Sequence, residues 1–161
     1  MRILTVLLIT LLLMLTGCST QKGTYSVTGM GSAEGDAGAT IGKVVNDNIE
    51  VGITAISYKM GDNHDTYAVG PYAAYMLKKP LPEEVTADWQ PFAGGAMLVN
   101  FDDGQGEFVP QVFGGVIYKP HDVLSPVGIV EKSFPSGAIN SPDIAALGES
   151  ERYWLALRYR F

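Results

Sequence analysis

The chain has 161 residues, of which 47% are hydrophobic and 17% charged, and its 11 basic and 17 acidic residues give a formal net charge of −6. This composition excludes an intrinsically disordered chain, which combines low hydrophobicity with high charge, and the acidic excess argues against a nucleic-acid partner. A single cysteine excludes an intramolecular disulfide and any zinc or iron–sulfur site built from several cysteines.

The first seventeen residues have the layout of a cleaved signal peptide. Arg2 and the amino terminus supply positive charge, and an uncharged, leucine-rich run follows from Ile3 to Leu15. As a helix, the stretch from Ile3 to Gly17 spans roughly 22 Å, which is shorter than the roughly 30 Å hydrocarbon core of a bilayer. We therefore predict a signal helix over residues 1–17 that is removed, and not a permanent membrane span.

The run ends in Leu15-Thr16-Gly17-Cys18, which resembles the lipobox of bacterial lipoprotein precursors. The resemblance implies processing by the lipoprotein machinery, with diacylglycerol on the sulfur of Cys18 and an acyl chain such as palmitate on its new amine. Several acyl chains make a stable anchor where one would be marginal. Residues 18–23 would be a lipidated linker, and Ser19 after the cysteine resembles the outer-membrane sorting class. An ordinary secretory signal with a chance cysteine is the alternative.

The remainder of the chain, residues 24–161, has the pattern of strands and turns. Short uncharged segments rich in β-branched, aromatic and small residues alternate with clusters of turn-forming residues, and no segment long enough for a major helix has helical periodicity. An even number of segments of about ten residues is typical of a transmembrane barrel. The eight predicted strands are Thr24–Ser32, Ala37–Val45, Ile49–Met60, Thr66–Lys78, Trp89–Phe101, Glu107–Tyr118, Ser125–Phe134 and Arg152–Phe161.

The middle strands indicate that the outer face of the barrel meets lipid. Thr66–Leu77, Trp89–Phe101 and Phe108–Tyr118 contain no charged residue, whereas a hydrated outer face would carry charges at every second position. We therefore predict bulky apolar residues outside, where Lys or Arg costs about 2 to 4 kcal/mol at the bilayer midplane, and small or polar residues inside. Because Pro71 removes a ladder donor inside the fourth strand, a β-bulge is predicted there.

The last strand alternates strictly, with Trp154, Ala156, Arg158 and Arg160 on one face. If Ile49 and Phe161 face lipid, then Glu50, Arg158 and Arg160 point into the lumen. A structural polar network is the main interpretation of these three residues, and a polar path for small solutes is the functional alternative. Aromatic residues near the strand ends are predicted to form girdles at the two membrane interfaces: Tyr58, Tyr67, Trp89, Phe101, Phe108, Tyr118, Phe134, Tyr153 and Phe161.

Three segments resemble the small eight-stranded outer-membrane barrels of Gram-negative bacteria, broadly the OmpA/OmpX-like and opacity-protein superfamily. Val45–Gly52 looks like the tight turn and following strand of that superfamily, Pro91–Ala96 looks like its fifth strand, and the alternating terminus ends in an aromatic residue. The resemblance implies an all-β, antiparallel up-and-down transmembrane barrel with both termini in the periplasm. It also implies that one face of the last strand is the signal read by the barrel-assembly machinery, namely Tyr153, Leu155, Leu157, Tyr159 and Phe161.

Groups that could carry catalysis or bind a metal are sparse. Asp62, His64 and Asp65 lie together, but in a segment whose Gly, Asp and Asn residues also form turns for backbone reasons. The segment Asp102–Glu107 resembles half of a calcium loop and lacks its twelve-residue spacing, and His121 is expected at the opposite end of the barrel from His64. We therefore predict no catalytic residue, no cofactor and no metal site.

Together these patterns predict a non-catalytic lipoprotein barrel in the outer-membrane bilayer, with a structural or surface-interaction role through acidic loops. Divalent cations bridging the loops to lipopolysaccharide are one expected contact, and loop solubility explains the acids equally well. One alternative is a soluble, lipid-anchored, lipocalin-like barrel that binds an apolar ligand, and a second is a lipid A-modifying enzyme using His64 and Ser57. The acids of the predicted outer loops are Glu34, Asp36, Asp62, Asp65, Asp102, Asp103, Glu107, Glu149 and Glu151.

Overall fold

Eight antiparallel strands form a closed barrel in which each strand pairs with its sequence neighbours and β1 pairs with β8. The computed structural model describes residues 25–46, 48–60, 64–77, 88–102, 105–118, 123–137, 142–148 and 151–161. The predicted all-β, up-and-down barrel is confirmed. The strands are β1 (Tyr25–Ser32), β2 (Ala37–Asn46), β3 (Ile49–Met60), β4 (His64–Met76), β5 (Trp89–Asp102), β6 (Gln105–Tyr118), β7 (Leu124–Ser133) and β8 (Glu151–Arg160).

The strand boundaries differ from the predicted ones by at most two residues, and the last loop contains a helix that was predicted as irregular structure. This helix, α1 (Pro142–Ala146), begins with proline, whose missing amide hydrogen is not needed in a first helical turn. Five residues are too few for a periodic pattern, which explains why sequence analysis missed it. Within the described residues, no helix is long and apolar enough to cross a membrane.

Large apolar side chains cover the outside of the barrel, as the alternation predicted. On β8, for example, Leu155 is 81% exposed while the neighbouring Trp154 is 2% exposed. The charged side chains on the outward positions of the described strands lie near strand ends. They are Lys43, Lys59, Asp65, Lys132 and Glu151.

The interior is less polar than predicted. A cluster of buried apolar side chains fills the middle of the lumen, and it includes bulky residues such as Trp154, Leu98 and Phe92. The physical reason is that an eight-stranded barrel is just wide enough for side chains to fill, so small and polar residues alone would leave voids. Polar groups are instead concentrated towards the two ends of the lumen.

The predicted β-bulge at Pro71 is absent, and that prediction is wrong. The pairs Tyr67↔Phe101 and Tyr72↔Ala96 belong to one unshifted β4–β5 register, in which Gly70 and Pro71 lack a partner on β5. On its other side Pro71 keeps its register partner on β3. The β4–β5 ladder therefore lacks paired residues at Gly70 and Pro71, and β4 contains no inserted residue there.

Candidate functional site in the barrel lumen

The two ends of the barrel differ in which chain segments they carry. The beginning of β1 and the end of β8 lie at one end of the barrel, the terminal end, where β2, β4 and β6 also end. The connections that follow β1, β3, β5 and β7 lie at the opposite end, called here the far end. Each end of the lumen contains one cluster of buried polar side chains.

The terminal cluster consists of Glu50, Tyr72 and Arg158. The carboxylate of Glu50 pairs with the guanidinium of Arg158, and both residues are about 5% exposed or less. The hydroxyl of Tyr72 donates to Glu50 Oε1 at 2.7 Å. Gly42 leaves room for this arrangement, because a Cβ there would approach Glu50 Oε1 to 2.9 Å. Arg160 lies one inward position nearer the terminal end and is partly buried.

The far cluster consists of Tyr58, Gln111, Glu131 and Ser133, from strands β3, β6 and β7. Tyr58 donates its hydroxyl hydrogen to Glu131 Oε1 at 2.8 Å, and the Gln111 amide donates to Tyr58 Oη and to Ser133 Oγ, the latter at 2.9 Å. Each group thus has a partner without water, and chains of buried hydrogen bonds strengthen one another. Sequence analysis predicted none of these four residues as part of an interior site.

An ion pair extends the far cluster to the mouth of the barrel. Arg152 lies over the ring of Tyr58 at 4.9 Å and places its Nε atom 3.5 Å from Asp36 Oδ2. Asp36 Oδ1 also accepts a hydrogen bond from the backbone amide of Lys59 at 2.8 Å. On its other side, Arg152 donates to the carbonyl of Leu147 at 3.2 Å, which joins it to the loop after α1.

The last loop folds over the far mouth. Glu107 accepts hydrogen bonds from Ser136 Oγ and from the amide of Gly137, both at 2.6 Å. Ile144 and Leu147 are almost fully buried. The far end is therefore covered by ordered chain within the described ranges 134–137 and 142–148.

Two of the nine acids predicted on the outer loops are interior residues, and that prediction is corrected. Asp36 is 3% exposed and Glu107 is 2% exposed. Asp36 directly precedes β2 and continues the inward parity of that strand, and Glu107 is an inward position of β6. Glu34, Asp65 and Glu151 are exposed. Asp102 is half-buried, and Asp62, Asp103 and Glu149 lie outside the described residues.

The aromatic residues separate into an interior and an exterior set. Tyr58 was predicted in a girdle but is fully buried; it has the same inward parity on β3 as Glu50. On the outside, Trp89 and Tyr118 contact each other at the terminal end, with ring centroids 4.8 Å apart. The other girdle residues that are exposed or partly exposed are Tyr67, Phe101, Phe108, Phe134, Tyr153 and Phe161.

The face of β8 predicted as an assembly signal points outward. Tyr153, Leu155, Leu157 and Tyr159 are exposed, and Phe161 is partly exposed with its ring 6.1 Å from that of Tyr25 on β1. Recognition of this face of β8 by the barrel-assembly machinery stays a prediction. The signal segment 1–17, Cys18 and the linker 18–23 lie outside the described residues.

The candidate catalytic and calcium-binding segments are described only in part, since residues 61–63 and 103–104 lie outside the described residues. His64 pairs with Met60 at the start of β4, and Ser57 pairs with Tyr67 on the outward face. Asp102 at the end of β5 pairs with Gln105 at the start of β6, and Glu107 faces the lumen. His121 lies outside the described residues, among which no three His, Cys, Asp or Glu side chains form a group that could hold a metal ion.

A cavity of about 80 Å³ lies between the two clusters. Glu50, Tyr72 and Arg158 contribute to its wall at one end, and Gln111 and Glu131 contribute at the other. Most of the remaining wall is apolar and includes Met30, Ile56, Met76, Phe92, Phe113 and Ile117.

Comparison with solved structures identifies the fold. The chain is similar to the N-terminal β-barrel domain of Pseudomonas aeruginosa OprF, with a TM-score of 0.61 and 13% identity, and to Neisserial surface protein A, with a TM-score of 0.61 and 15% identity. Each likeness covers 88% of this chain and all of the other. No protein-family model and no curated protein sequence matches the chain.

Proposed function

We propose that this protein is an outer-membrane β-barrel lipoprotein, anchored through Cys18, with a non-catalytic structural or surface-interaction role. The observation that carries the proposal is the belt of large apolar side chains on the outside of a closed barrel. The belt consists of Ile41, Val45, Val51, Ile53, Tyr67, Val69, Tyr75, Leu77, Trp89, Met97, Phe101, Phe108, Val112, Val123, Leu124, Val130, Phe134, Tyr153, Leu155, Leu157 and Tyr159.

The height of the belt fits a bilayer. At about 3.4 Å per residue and a tilt of about 40°, the stretch of β5 from Trp89 to Phe101 rises roughly 30 Å along the barrel axis. This matches the roughly 30 Å hydrocarbon core of a membrane. Aromatic residues stand at both ends of this stretch, where interfacial girdles are found in membrane barrels. The similarity to OprF and Neisserial surface protein A supports the same fold.

The lipocalin-like alternative requires the opposite distribution of polarity. A soluble barrel keeps its outer face hydrated, whereas here Leu155, Tyr153 and Phe108 are more than 60% exposed. A lipocalin also needs an open calyx, and the interior here is largely filled by buried side chains. Both observations favour the membrane barrel.

The anchor and the barrel are geometrically compatible. The part of the chain that the structure describes begins at Tyr25, which lies at the terminal end beside Phe161. The seven residues from Cys18 to Thr24 reach at most about 25 Å when extended. An acylated Cys18 can therefore insert its chains into the leaflet that surrounds the terminal end, which the proposal assigns to the periplasmic side.

The far end then faces the cell exterior, and its exposed acids supply the surface contact. Glu34, Asp65 and Glu151 are exposed carboxylates at this rim. Together with divalent cations they can bridge to the phosphates of lipopolysaccharide, because hard cations prefer oxygen ligands. Replacing the three by Gln, Asn and Gln should weaken magnesium-dependent retention of lipopolysaccharide by the purified barrel, with EDTA-treated protein as the control.

Membrane integration is tested by extraction of cell envelopes. The Cys18→Ala variant, with a signal peptide retained for export, should stay in the membrane after carbonate or urea treatment and should migrate differently in gels when unheated. Release of this variant into the soluble fraction would favour the lipid-anchored soluble barrel. Mass spectrometry of the purified wild-type chain, showing acyl groups on Cys18, tests the anchor itself.

A further inference from the structure

A ring of polar side chains lines the far mouth of the barrel, because each strand, or the residue next to it, places one polar residue inward there. The ring consists of Ser32, Asp36, Tyr58, Thr66, Asn100, Glu107, Ser133 and Arg152. All of these residues except Ser32 are buried. Polar residues at an open mouth would be hydrated, so the burial of this ring needs an explanation.

We propose that the ring is a binding site for an uncharged saccharide, and that the last loop covers the site until the saccharide displaces it. The covering part of the loop, called here the cap, consists of the described ranges 134–137 and 142–148. The inference goes beyond the proposed function and concerns the far mouth alone, so it does not depend on a lipid anchor.

Two side chains of the ring have no hydrogen-bond partner among the described residues. Asn100 is 0% exposed, and neither its amide nitrogen nor its amide oxygen is bonded; the hydroxyl of Thr66 is equally buried and unbonded. Asn100 pairs with Glu107 on β6 and with Ala68 on β4, and Thr66 is the next inward position after Ala68. The three polar residues thus form one arc on β4, β5 and β6. Buried polar groups without partners are costly, and a polar ligand would satisfy them.

The donors and acceptors of this arc favour hydroxyl groups. The amide of Asn100 and the hydroxyl of Thr66 both donate and accept hydrogen bonds, whereas the carboxylate of Glu107 only accepts. A sugar hydroxyl also donates and accepts, so neighbouring hydroxyls of one sugar ring can satisfy all three residues. An ammonium group cannot accept from the Asn100 amide. An anion would meet the carboxylates of Glu107 and Asp36, and the ring contains one base, Arg152.

The cap is apolar where it meets the ring. Leu147 is fully buried and belongs to the apolar cluster that includes Tyr58 and Trp154. The two ends of the cap touch, because a Cβ on Gly148 would lie 2.8 Å from Pro135 Cδ, as in compact surface loops whose ends are close. Such a loop can leave the mouth as one unit. Withdrawal of Leu147 would then open the aromatic rings to the apolar face of a sugar.

Amide hydrogen exchange at Gly137 in the full-length protein in lipid nanodiscs tests the site. The Gly137 amide donates to Glu107 when the cap is closed, so displacement of the cap exposes it to exchange. Glucose, galactose, mannose and N-acetylglucosamine are the probes. At least one of them should accelerate exchange at Gly137 along a saturable curve. A sugar that acts only as an excluded osmolyte would slow exchange without saturation.

Two substitutions should act in different ways. Asn100→Leu removes the unbonded amide, so exchange at Gly137 without saccharide should slow at least about fivefold and saccharide binding should be lost. Leu147→Ala removes the apolar contact of the cap, which raises the population of the displaced cap and should tighten apparent binding at least about threefold. Gln90→Leu, which replaces an amide on the same strand at the terminal end, should change neither property.

Three results would overturn the proposal. Exchange at Gly137 that none of the four sugars accelerates saturably would mean that the ring does not bind saccharides. Saturable binding that survives in Asn100→Leu would place the saccharide elsewhere; if this variant does not fold, Thr66→Val serves the same purpose. Faster exchange in Asn100→Leu without saccharide would show that the Asn100 amide stabilises the closed cap.

Discussion

Glu50 on β3 and Arg158 on β8 form an ion pair inside the barrel although their strands are not neighbours. Strands β1 and β2 lie between them, so the pair joins parts of the sheet that no ladder hydrogen bond connects directly. The far cluster likewise joins β3 to β6 and β7, neither of which pairs with β3, through Tyr58, Gln111 and Glu131. The two clusters therefore brace the barrel across its lumen at both ends of the apolar middle layer.

Removing one member of the Glu50–Arg158 pair should destabilise the barrel strongly. Arg158→Met removes the guanidinium that pairs with the buried Glu50 carboxylate and leaves it the hydroxyl of Tyr72 and the charge of Arg160 nearby, and removing one partner of a buried pair costs about 3–5 kcal/mol. Urea unfolding in lipid vesicles, followed by tryptophan fluorescence, measures this loss. The double variant Glu50→Gln with Arg158→Met should recover most of it, since neither position of the former pair then carries a charge.

Lys43→Met is the matched control, because Lys43 is exposed on the outside of β2. We expect a change below about 0.5 kcal/mol for this variant. Equal losses in the Lys43 and Arg158 variants would contradict a structural role for the interior pair.

Tyr58→Phe should cost about 1–3 kcal/mol of unfolding free energy. The change keeps the ring that packs under Arg152 but removes the hydroxyl that donates to Glu131 and accepts from Gln111, and it leaves both partners buried and short of one bond. Tyr67→Phe is the control because Tyr67 is outward and 48% exposed. A Tyr58 variant as stable as the Tyr67 variant would show that the far cluster adds nothing to stability.

The sequence was sufficient to predict strand number, strand boundaries within two residues and the face of most side chains, because alternation in an up-and-down barrel is a local property. The same rule would have placed Tyr58 inside, since it lies eight residues from Glu50 on one strand. Tyr58 was predicted in the girdle because it lies near the end of its strand, without regard to which face of the strand its position occupies. Asp36 and Glu107 were assigned to the surface for a similar reason.

The pairings across the lumen could not be predicted from the sequence. Whether Gln111 on β6 meets Tyr58 on β3 depends on the stagger of all strands between them, which is a property of the closed barrel. The cavity depends in the same way on how residues from several strands meet. The helix α1 escaped prediction because five residues carry no periodic signal.

Glu107→Ala should loosen the cap over the far mouth while leaving the barrel folded. The carboxylate of Glu107 holds Ser136 and the amide of Gly137, so its removal frees the start of the last loop. Amide hydrogen exchange at Gly137 should become at least about tenfold faster, which corresponds to about 1.4 kcal/mol. Exchange in the centre of β5 serves as the internal reference, and Glu151→Ala, an exposed acid on the same rim, should leave Gly137 unchanged.

A single lysine on the outer face distinguishes lipid from water as the solvent of the belt. Ile53 is outward, 56% exposed and near the middle of β3. In a bilayer, Ile53→Lys should lower the unfolding free energy by about 2–4 kcal/mol, whereas on a hydrated surface the change is within about 0.5 kcal/mol. Unfolding in vesicles measures the difference, and Ala33→Lys in the exposed β1–β2 turn controls for the added charge. Because Ile53→Lys adds no buried group inside the barrel, a loss specific to this variant reports on the surrounding medium, and equal stability of the two variants would argue that water surrounds the belt.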